Sequence, residues 1–111
     1  MDRVERYRGY VQDLLERYAR SYPVCAGLEV QTLYDTQHDH YQVLLLGWEE
    51  LQRVYECLLH VDIRAGKIWI QEDRTEAGLA GELMELGVSK DAIVLAFHAP
   101  YKRPYTGFAV G

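Results

Sequence analysis

Three short groups of titratable residues are the parts of this sequence that could carry out chemistry. The first is His38-Asp39-His40. Histidines two residues apart on an extended segment share a face, so both could ligate zinc. A closed zinc site needs four ligands, and the sequence contains no CxxC or HExxH motif to supply the others. We therefore favour a polar hairpin tip over a metal site at this position.

The second group places an imidazole and a carboxylate two residues apart, at His60 and Asp62. Alternate residues of a strand share a side, so Glu56 and Leu58 should precede them there. Such a pair can act as general acid and base. Acyl chemistry would also need an activated nucleophile, and no serine or cysteine has the local sequence context for that role. Structural hydrogen bonding is the interpretation that we favour.

The third group is acidic and consists of Glu72, Asp73 and Glu76. Nucleases hold divalent metals with carboxylates near strand ends, and Asp62 could join such a set. The positioned lysine that hydrolytic sites often use is missing beyond Lys67. Carboxylates also cap helices and stabilise their positive ends, which is the simpler explanation. We therefore predict no catalytic residue, no bound metal and no cofactor.

The C-terminal tail, residues 98–111, is the best binding candidate. Aromatic residues and arginine are favoured at protein interfaces, and the same mixture suits stacking on unpaired bases. A segment packed over the sheet is the alternative, and the apolar residues Phe108–Val110 predict that part of the tail is attached to the core. The candidate partner-binding residues are His98, Tyr101, Lys102, Arg103 and Tyr105.

Hydrophobic periodicity predicts the elements that must position these groups. A helix is predicted over residues 2–21, and short turns between successive strands predict an antiparallel meander. The central hairpin turns at Ala65-Gly66, because glycine accepts positive φ. We expect a single α+β domain: an antiparallel sheet of about five strands, an N-terminal helix and a second helix before the last strand. The strands are predicted over residues 28–35, 41–48, 53–64, 67–72 and 93–97.

The second helix is predicted over residues 76–86. Thr75 is its expected N-cap, and Gly87 stands where a glycine commonly follows a helix. Gly78 and Gly81 lie inside the predicted span and weaken helix propensity by roughly 1 kcal/mol each. We interpret both as sites of close packing against the sheet.

The chain length, the net charge and the length of the apolar runs narrow the class of protein. A chain of 111 residues suits one domain over residues 1–111. A net charge of -5 argues against a general binder of phosphate backbones, although a local basic patch stays open. The longest apolar run, Val43–Leu46, is far too short to span a bilayer, and the charged N-terminus shows no secretion signal. We therefore expect a cytoplasmic protein without membrane contact, in which Cys25 and Cys57 stay reduced.

Long motifs occur in order along nearly the whole chain: DHYQVLLLGW (Asp39–Trp48), HVDIRAGKIWIQEDRTEAGLAGEL (His60–Leu83) and IVLAFHAPYKRPYTGFAV (Ile93–Val110). In these motifs, and in the first helix and the segment EVQTLYDT, the chain resembles the XisI family, the fdxN-element excision controlling factors of cyanobacteria. Small departures from the family pattern, none of which breaks a motif, are Ala77, Gly81 and Pro104.

This resemblance implies a XisI-like fold and a part in the programmed excision of a DNA element during heterocyst differentiation. Family members act beside a site-specific recombinase and a companion protein, XisH, which itself looks nuclease-like. The resemblance supplies no catalytic residue that can be assigned to a position in this chain.

We therefore expect a non-enzymatic accessory factor that binds a XisH-like partner, with a recombinase complex nearby. The acidic balance favours this function, because it attracts a basic protein and repels free DNA. One alternative is direct DNA binding through Lys102, Arg103 and the arginines of the first helix. Another is a metal-dependent nuclease that uses Asp62, Glu72 and Asp73. A symmetric homodimer also stays open, because the edges of a meander can pair.

Overall fold

The computed structural model describes residues 2–111. In chain order it contains helix α1 (Arg3–Ser21), strands β1 (Leu28–Asp35), β2 (His40–Glu49), β3 (Gln52–Arg64) and β4 (Lys67–Asp73), helix α2 (Leu79–Glu85) and strand β5 (Ile93–Leu95). Short 3-10 turns lie at Lys90–Ala92 and Arg103–Tyr105. The order of helices and strands matches the prediction, and the α+β class is confirmed.

The five strands form one sheet in the order β1-β2-β3-β4-β5. The first four run antiparallel to their neighbours, as predicted from the short turns between them. Strand β5 runs parallel to β4, because α2 lies between them and carries the chain back to the other end of the sheet. The sheet is therefore mixed, and the argument from short turns holds only for its first four strands.

Helix α1 lies across one face of the sheet and forms the core with it. Asp2 caps its start, since its side chain accepts a hydrogen bond of 3.1 Å from the backbone N–H of Val4. The helix ends at Ser21 because Tyr22, which precedes Pro23, is extended. Burial of each large apolar side chain at this interface contributes roughly 1.5–3 kcal/mol. The interface includes Tyr7, Val11, Leu14 and Leu15 of α1 and Tyr41, Val43, Val61, Ile63, Ile68 and Ile70 of the strands.

Strand β3 carries a bulge opposite β2. Val43 pairs with Leu59 and Leu44 pairs with Cys57, so Leu58 is the extra residue. Leu58 and Leu59 consequently both lie in the core. Glu56 pairs with the core residue Leu45 and so lies on the helix side as well. The expected placement of Glu56 and Leu58 on the same side as His60 was therefore wrong, because an inserted residue reverses the alternation on one side of a bulge.

Helix α2 begins later than predicted, at Leu79, and its N-cap is Gly78 rather than Thr75. The Thr75 hydroxyl accepts a hydrogen bond from the Gly78 N–H at 3.0 Å. The Asp73 carboxylate, at the end of β4, accepts a hydrogen bond from the Leu79 N–H at 2.8 Å and thereby caps the helix. Thr75 as N-cap was therefore wrong, while the capping role of the acidic group is confirmed for Asp73.

The glycines of α2 do not mark close packing. A Cβ added at Gly78 or Gly81 would meet nothing within 4 Å, so the predicted close approach to the sheet was wrong. Gly87 does follow the helix, with φ +97°. Its N–H donates a hydrogen bond to the Met84 carbonyl at 3.0 Å, and the N–H of Val88 donates to the Leu83 carbonyl at 3.0 Å. This pair of bonds is a Schellman motif.

The opposite face of the sheet lies away from α1 and α2, and we call it the helix-free face. Its members on the two longest strands are His40, Gln42, Leu44, Leu46 and Trp48 of β2 and Arg53, Tyr55, Cys57, His60 and Asp62 of β3. No helix within residues 2–111 is both long and apolar enough to cross a membrane.

The C-terminal tail is attached at the β4–β5 end of the sheet. Ala109 forms a parallel bridge with Val94, and its N–H donates to Ile93 at 2.9 Å. Phe108 packs against the core, and the Lys67 ammonium donates to the Gly111 carbonyl. The predicted attachment of the tail to the core is confirmed.

Candidate functional site

A polar cluster forms on the helix-free face where β2 and β3 meet. His40 of β2 lies directly opposite Asp62 of β3, and His60 precedes Asp62 by two residues on the same side. Val61 lies between His60 and Asp62, and it and its pairing partner Tyr41 point to α1 and are buried in the core. Strand alternation therefore brings three side chains to one point of the exposed face, and we call His40, His60 and Asp62 the His–Asp cluster.

Asp62 is the centre of this cluster and is only 6% exposed. Its Oδ1 accepts hydrogen bonds from His40 Nδ1 at 2.8 Å and from His60 Nε2 at 2.9 Å. Its Oδ2 accepts a hydrogen bond from Gln71 Nε2 at 3.2 Å, and the Arg64 guanidinium lies 3.7 Å away. The carboxylate is therefore surrounded by donors, as a buried charge must be.

These contacts shift the titration of both partners. Burial opposes ionisation of Asp62, but the hydrogen bond from His40 and the positive charge available on His60 outweigh it, so the pKa of the Asp62 carboxyl is lowered. The hydrogen bond to Asp62 in turn raises the pKa of His40. The structural hydrogen bonding predicted for His60 and Asp62 is confirmed, with His40 as a third member that the prediction did not include.

The triplet His38-Asp39-His40 does not act as one group. His38 contacts Asp35 at the exposed hairpin tip, with Nδ1 2.9 Å from the carboxylate. Asp39 turns to the α1 side and binds Arg8, while His40 joins Asp62 on the opposite face. The backbone between the two histidines is not extended as expected, since Asp39 has φ +60°. His38 does not belong to the group of ligating atoms formed by His40, His60 and Asp62.

Asp39 attaches the β1–β2 hairpin to the first helix. Arg8 donates to both of its oxygens, from Nε at 2.7 Å and from a terminal nitrogen at 3.0 Å. The Tyr41 hydroxyl donates to the same carboxylate at 2.7 Å. The hydrogen bond from Arg8 is the main reason that the pKa of Asp39 is lowered. Sequence analysis missed this contact, since Arg8 lies off the apolar stripe of α1 and Asp39 is 31 residues away.

The acidic residues of the nuclease hypothesis do not converge with the His–Asp cluster. Asp73 pairs with the core residue Leu59 and therefore lies on the helix side of the sheet, whereas Asp62 lies on the helix-free face. Glu72 lies 3.7 Å from Arg74 at the surface. Among residues 2–111, the group of metal-ligating side chains found close together is His40, His60 and Asp62.

Glu76, the last member of the acidic group, lines a groove of about 420 Å³ between α1 and the connection from β4 to α2. Leu14 and Tyr18 supply apolar surface there. Arg17 and Glu82 place opposite charges in the same groove. This mixed lining gives no electrostatic preference for an ionic ligand.

The tail residues divide into two kinds. Arg103 is used internally: its Nε donates to the His98 carbonyl at 3.0 Å, and its guanidinium lies 5.7 Å from the centre of the Trp69 ring. Tyr101 and Tyr105 are 73% and 88% exposed. The Lys102 ammonium is also exposed, 5.9 Å from the Tyr101 ring. Arg103 thus positions the tail, while two tyrosines and one lysine remain accessible; their predicted contact with a partner stays a prediction.

A second exposed aromatic surface lies on the helix-free face and was missed in the sequence. Trp48 and Tyr55 are 53% and 64% exposed. The Arg53 guanidinium lies 5.8 Å from the Trp48 ring and 6.0 Å from the Tyr55 ring. Trp48 lies at the end of β2 and pairs with Arg53 at the start of β3, across the β2–β3 turn. The sequence therefore predicts this aromatic surface only when the register of the hairpin is known.

Comparison with known proteins agrees with this architecture. The family model described as XisI protein matches residues 1–110. A crystal structure of a XisI-like protein from Anabaena variabilis has 42% sequence identity, covers 99% of this chain and 100% of that chain, and superposes with a TM-score of 0.93. A crystal structure of the fdxN element excision controlling factor XisI from Anabaena variabilis has 33% identity, the same coverage and a TM-score of 0.90. No curated protein gives a significant match. The chain belongs to the XisI family.

Proposed function

We propose that this protein is a non-enzymatic controlling factor for the excision of a DNA element, and that it acts in a complex with a XisH-like protein. The observation that carries the first part is the likeness to the fdxN element excision controlling factor XisI, at 33% identity over 99% of the chain. The complex with a XisH-like protein follows from the resemblance noted in the sequence and is the part that experiment must test.

The side chains that could do chemistry support a non-enzymatic role. Asp62 accepts hydrogen bonds on both oxygens, and Asp73 is occupied in capping α2. Burial raises the pKa of the Cys57 thiol, which makes it a poor nucleophile at neutral pH. These groups have structural partners, and none of them is paired with a base in the way that an activated nucleophile requires.

The tail offers the surface for the partner. Tyr101 and Tyr105 present two large amphipathic rings on a segment that Arg103 and the β5 bridge hold in place. Tyrosines on a preorganised segment bury large area at low cost in conformational entropy, which is a common property of interface anchors. The net charge of -5 on the whole chain favours a partner with a basic surface.

Co-purification tests the proposal. The full chain, co-expressed with a tagged XisH-like protein, should be retained at micromolar concentration and low salt and should be released as salt is raised. Absence of any complex under these conditions would overturn the proposal.

Paired variants test the surface. Tyr101→Ala with Tyr105→Ala should weaken the complex at least about tenfold, since truncating interface anchors commonly costs more than 1 kcal/mol each. Tyr55→Ala removes an equally exposed ring from the helix-free face and is the matched control, expected to leave the complex unchanged. A complex that survives the tail variant and is lost with Tyr55→Ala would exclude the tail as the binding surface.

A further inference from the structure

We propose that the His–Asp cluster is a binding site for a divalent transition-metal ion, with Zn²⁺ as its occupant. The ligand atoms of His40, His60 and Asp62 all lie within 4.8 Å of one another. Two imidazoles and one carboxylate are a ligand set that zinc accepts, and three protein ligands with an open fourth position are typical of accessible zinc sites. The proposal goes beyond the controlling role and does not depend on it.

The spacing of the side-chain ligand atoms is close to the spacing that the ion needs. Neighbouring ligand atoms of a tetrahedral zinc lie roughly 3.3 Å apart, given zinc–nitrogen and zinc–oxygen distances of about 2.0–2.1 Å. The two nitrogens lie 2.8 and 2.9 Å from the Asp62 oxygen. Side-chain torsions therefore have to open these two contacts by a few tenths of an ångström. The two nitrogens, which lie within 4.8 Å of each other, have to come to the same spacing.

Neighbouring amides can support the ligands. Gln71 donates to the second oxygen of Asp62 at 3.2 Å and orients the carboxylate. Gln42 lies opposite His60 in the strand register, and its Nε2 is 3.5 Å from His60 Nδ1, the nitrogen that faces away from Asp62. Around bound zinc the non-ligating nitrogen of a histidine carries the proton and donates a hydrogen bond, which fixes the ring orientation and tautomer. The Gln42 amide would therefore have to turn its Oε1, rather than its Nε2, towards His60 to accept that bond.

Burial and exposure are combined in the way that an accessible site requires. Asp62 is buried, whereas the side chains of His40 and His60 are 56% and 30% exposed on the helix-free face. The charged ligand is thus fixed by the sheet, and the open coordination position faces outwards. Water, or a donor group from a protein bound to the helix-free face, can occupy that position.

Calorimetric titration of the full chain with Zn²⁺ alone, after removal of metal by a chelator, tests the proposal. We expect saturable binding of one ion per chain. Co²⁺ in place of Zn²⁺ should give the visible absorption of a four-coordinate site, a signal that structural hydrogen bonding alone does not produce.

Variants identify the ligands. His60→Gln retains an amide that can donate to Asp62, so it should fold while its zinc affinity falls by more than the roughly 10–100-fold loss that follows removal of a supporting residue. Gln71→Ala should show that smaller loss. His38→Ala is the matched control. His38 is an exposed histidine at the β1–β2 hairpin, and its Nδ1 lies 2.9 Å from an oxygen of Asp35.

The results divide cleanly. One-to-one binding that is lost in His60→Gln and retained in His38→Ala supports the site, provided that circular dichroism shows both variants folded. Binding that does not saturate at one ion, or that falls equally in both variants, would mean that scattered surface histidines hold the ion, and the proposal would be overturned. Absence of binding at millimolar Zn²⁺ would overturn it as well.

Discussion

Two aspartates of the β1–β2–β3 region are buried on opposite faces of the sheet, and each is neutralised differently. Asp39 binds the permanent charge of Arg8, with two hydrogen bonds and a third from Tyr41. Asp62 binds two titratable imidazoles instead. A guanidinium stays charged at all relevant pH values, so the Asp39 contact is suited to stability. A neutral imidazole, in contrast, can bind a metal ion in place of its hydrogen bond to a carboxylate.

Loss of the Arg8–Asp39 contact should destabilise the fold. Asp39→Asn keeps a side chain that tolerates positive φ, but removes the charge that both guanidinium bonds require. We expect a loss of about 1–3 kcal/mol in the free energy of unfolding, measured by urea denaturation. Arg6→Ala, an exposed arginine of the same helix, should change it by less than about 0.5 kcal/mol. Equal effects would show that the contact contributes nothing specific.

The same contact predicts a direction for the pH dependence. The pKa of Asp39 is lowered in the folded protein, so its contribution is complete above the pKa of the unfolded chain, near about 3.9. It is lost as the pH falls through the lower pKa of the folded state. Acid unfolding below about pH 4 should therefore be less steep in Asp39→Asn than in the unsubstituted protein. Parallel acid profiles would contradict this assignment.

The two cysteines should differ in reactivity. Cys25 is exposed, whereas Cys57 is half-buried and its thiol lies 3.4 Å from the Leu59 carbonyl. Burial raises the pKa of Cys57, so less of the reactive thiolate is present at neutral pH. Dithionitrobenzoate should modify Cys25 rapidly and Cys57 slowly, and Cys25→Ser should leave only the slow phase. A single fast phase in that variant would show that Cys57 is accessible.

At the scale of elements, the turns around β1 and β2 depend on glycine. Gly47 has φ +139°, and a Cβ there would lie 2.1 Å from the Gly27 carbonyl oxygen. Gly27 has φ +91°, and a Cβ added there would lie 2.6 Å from the Trp48 carbonyl oxygen. The start of β1 and the end of β2 are therefore packed backbone against backbone, which only glycine permits.

Gly47→Ala should cost about 2–3 kcal/mol of stability, since strain and a backbone clash act together. Gly81→Ala is the matched control with the opposite sign. An added Cβ at Gly81 meets open space within α2, so alanine should stabilise the protein by up to about 1 kcal/mol through helix propensity. Thermal unfolding of both variants measures the difference, and destabilisation by Gly81→Ala would restore a packing role for that glycine.

At the scale of the whole molecule, the two faces of the sheet are unequal. One face is covered by α1 and α2, and the other presents the His–Asp cluster together with the exposed Trp48 and Tyr55. Exposed rings beside an arginine are frequent at interfaces, so the helix-free face is a second surface on which a partner could bind. The open position of the proposed metal site faces the same surface.

The overall charge predicts that the chain alone does not bind duplex DNA. The chain has 17 acidic and 12 basic side chains, and two of the basic ones, Arg8 and Arg103, are engaged inside the molecule, so its net charge opposes the approach of a phosphate backbone. A gel-shift titration at low salt should show no complex, and addition of a XisH-like protein serves as the comparison. A shift by the chain alone, weakening steeply with salt, would favour direct DNA binding instead.

Local patterns in the sequence were sufficient to predict α1, the four antiparallel strands, the Ala65-Gly66 turn and the ending at Gly87. Helical and strand periodicity, glycine at positive φ and a stop before proline all act within a few residues of the chain. The α+β class follows from the order of these elements.

Tertiary structure alone decided which side chains meet. Arg8 and Asp39 are 31 residues apart, and His40 and Asp62 are 22 apart. Their contacts depend on strand register and on the bulge at Leu58, because a shift of one residue moves side chains from one face of the sheet to the other. The parallel direction of β5 was likewise set by the path of the chain through α2 and not by any pattern within the strand itself.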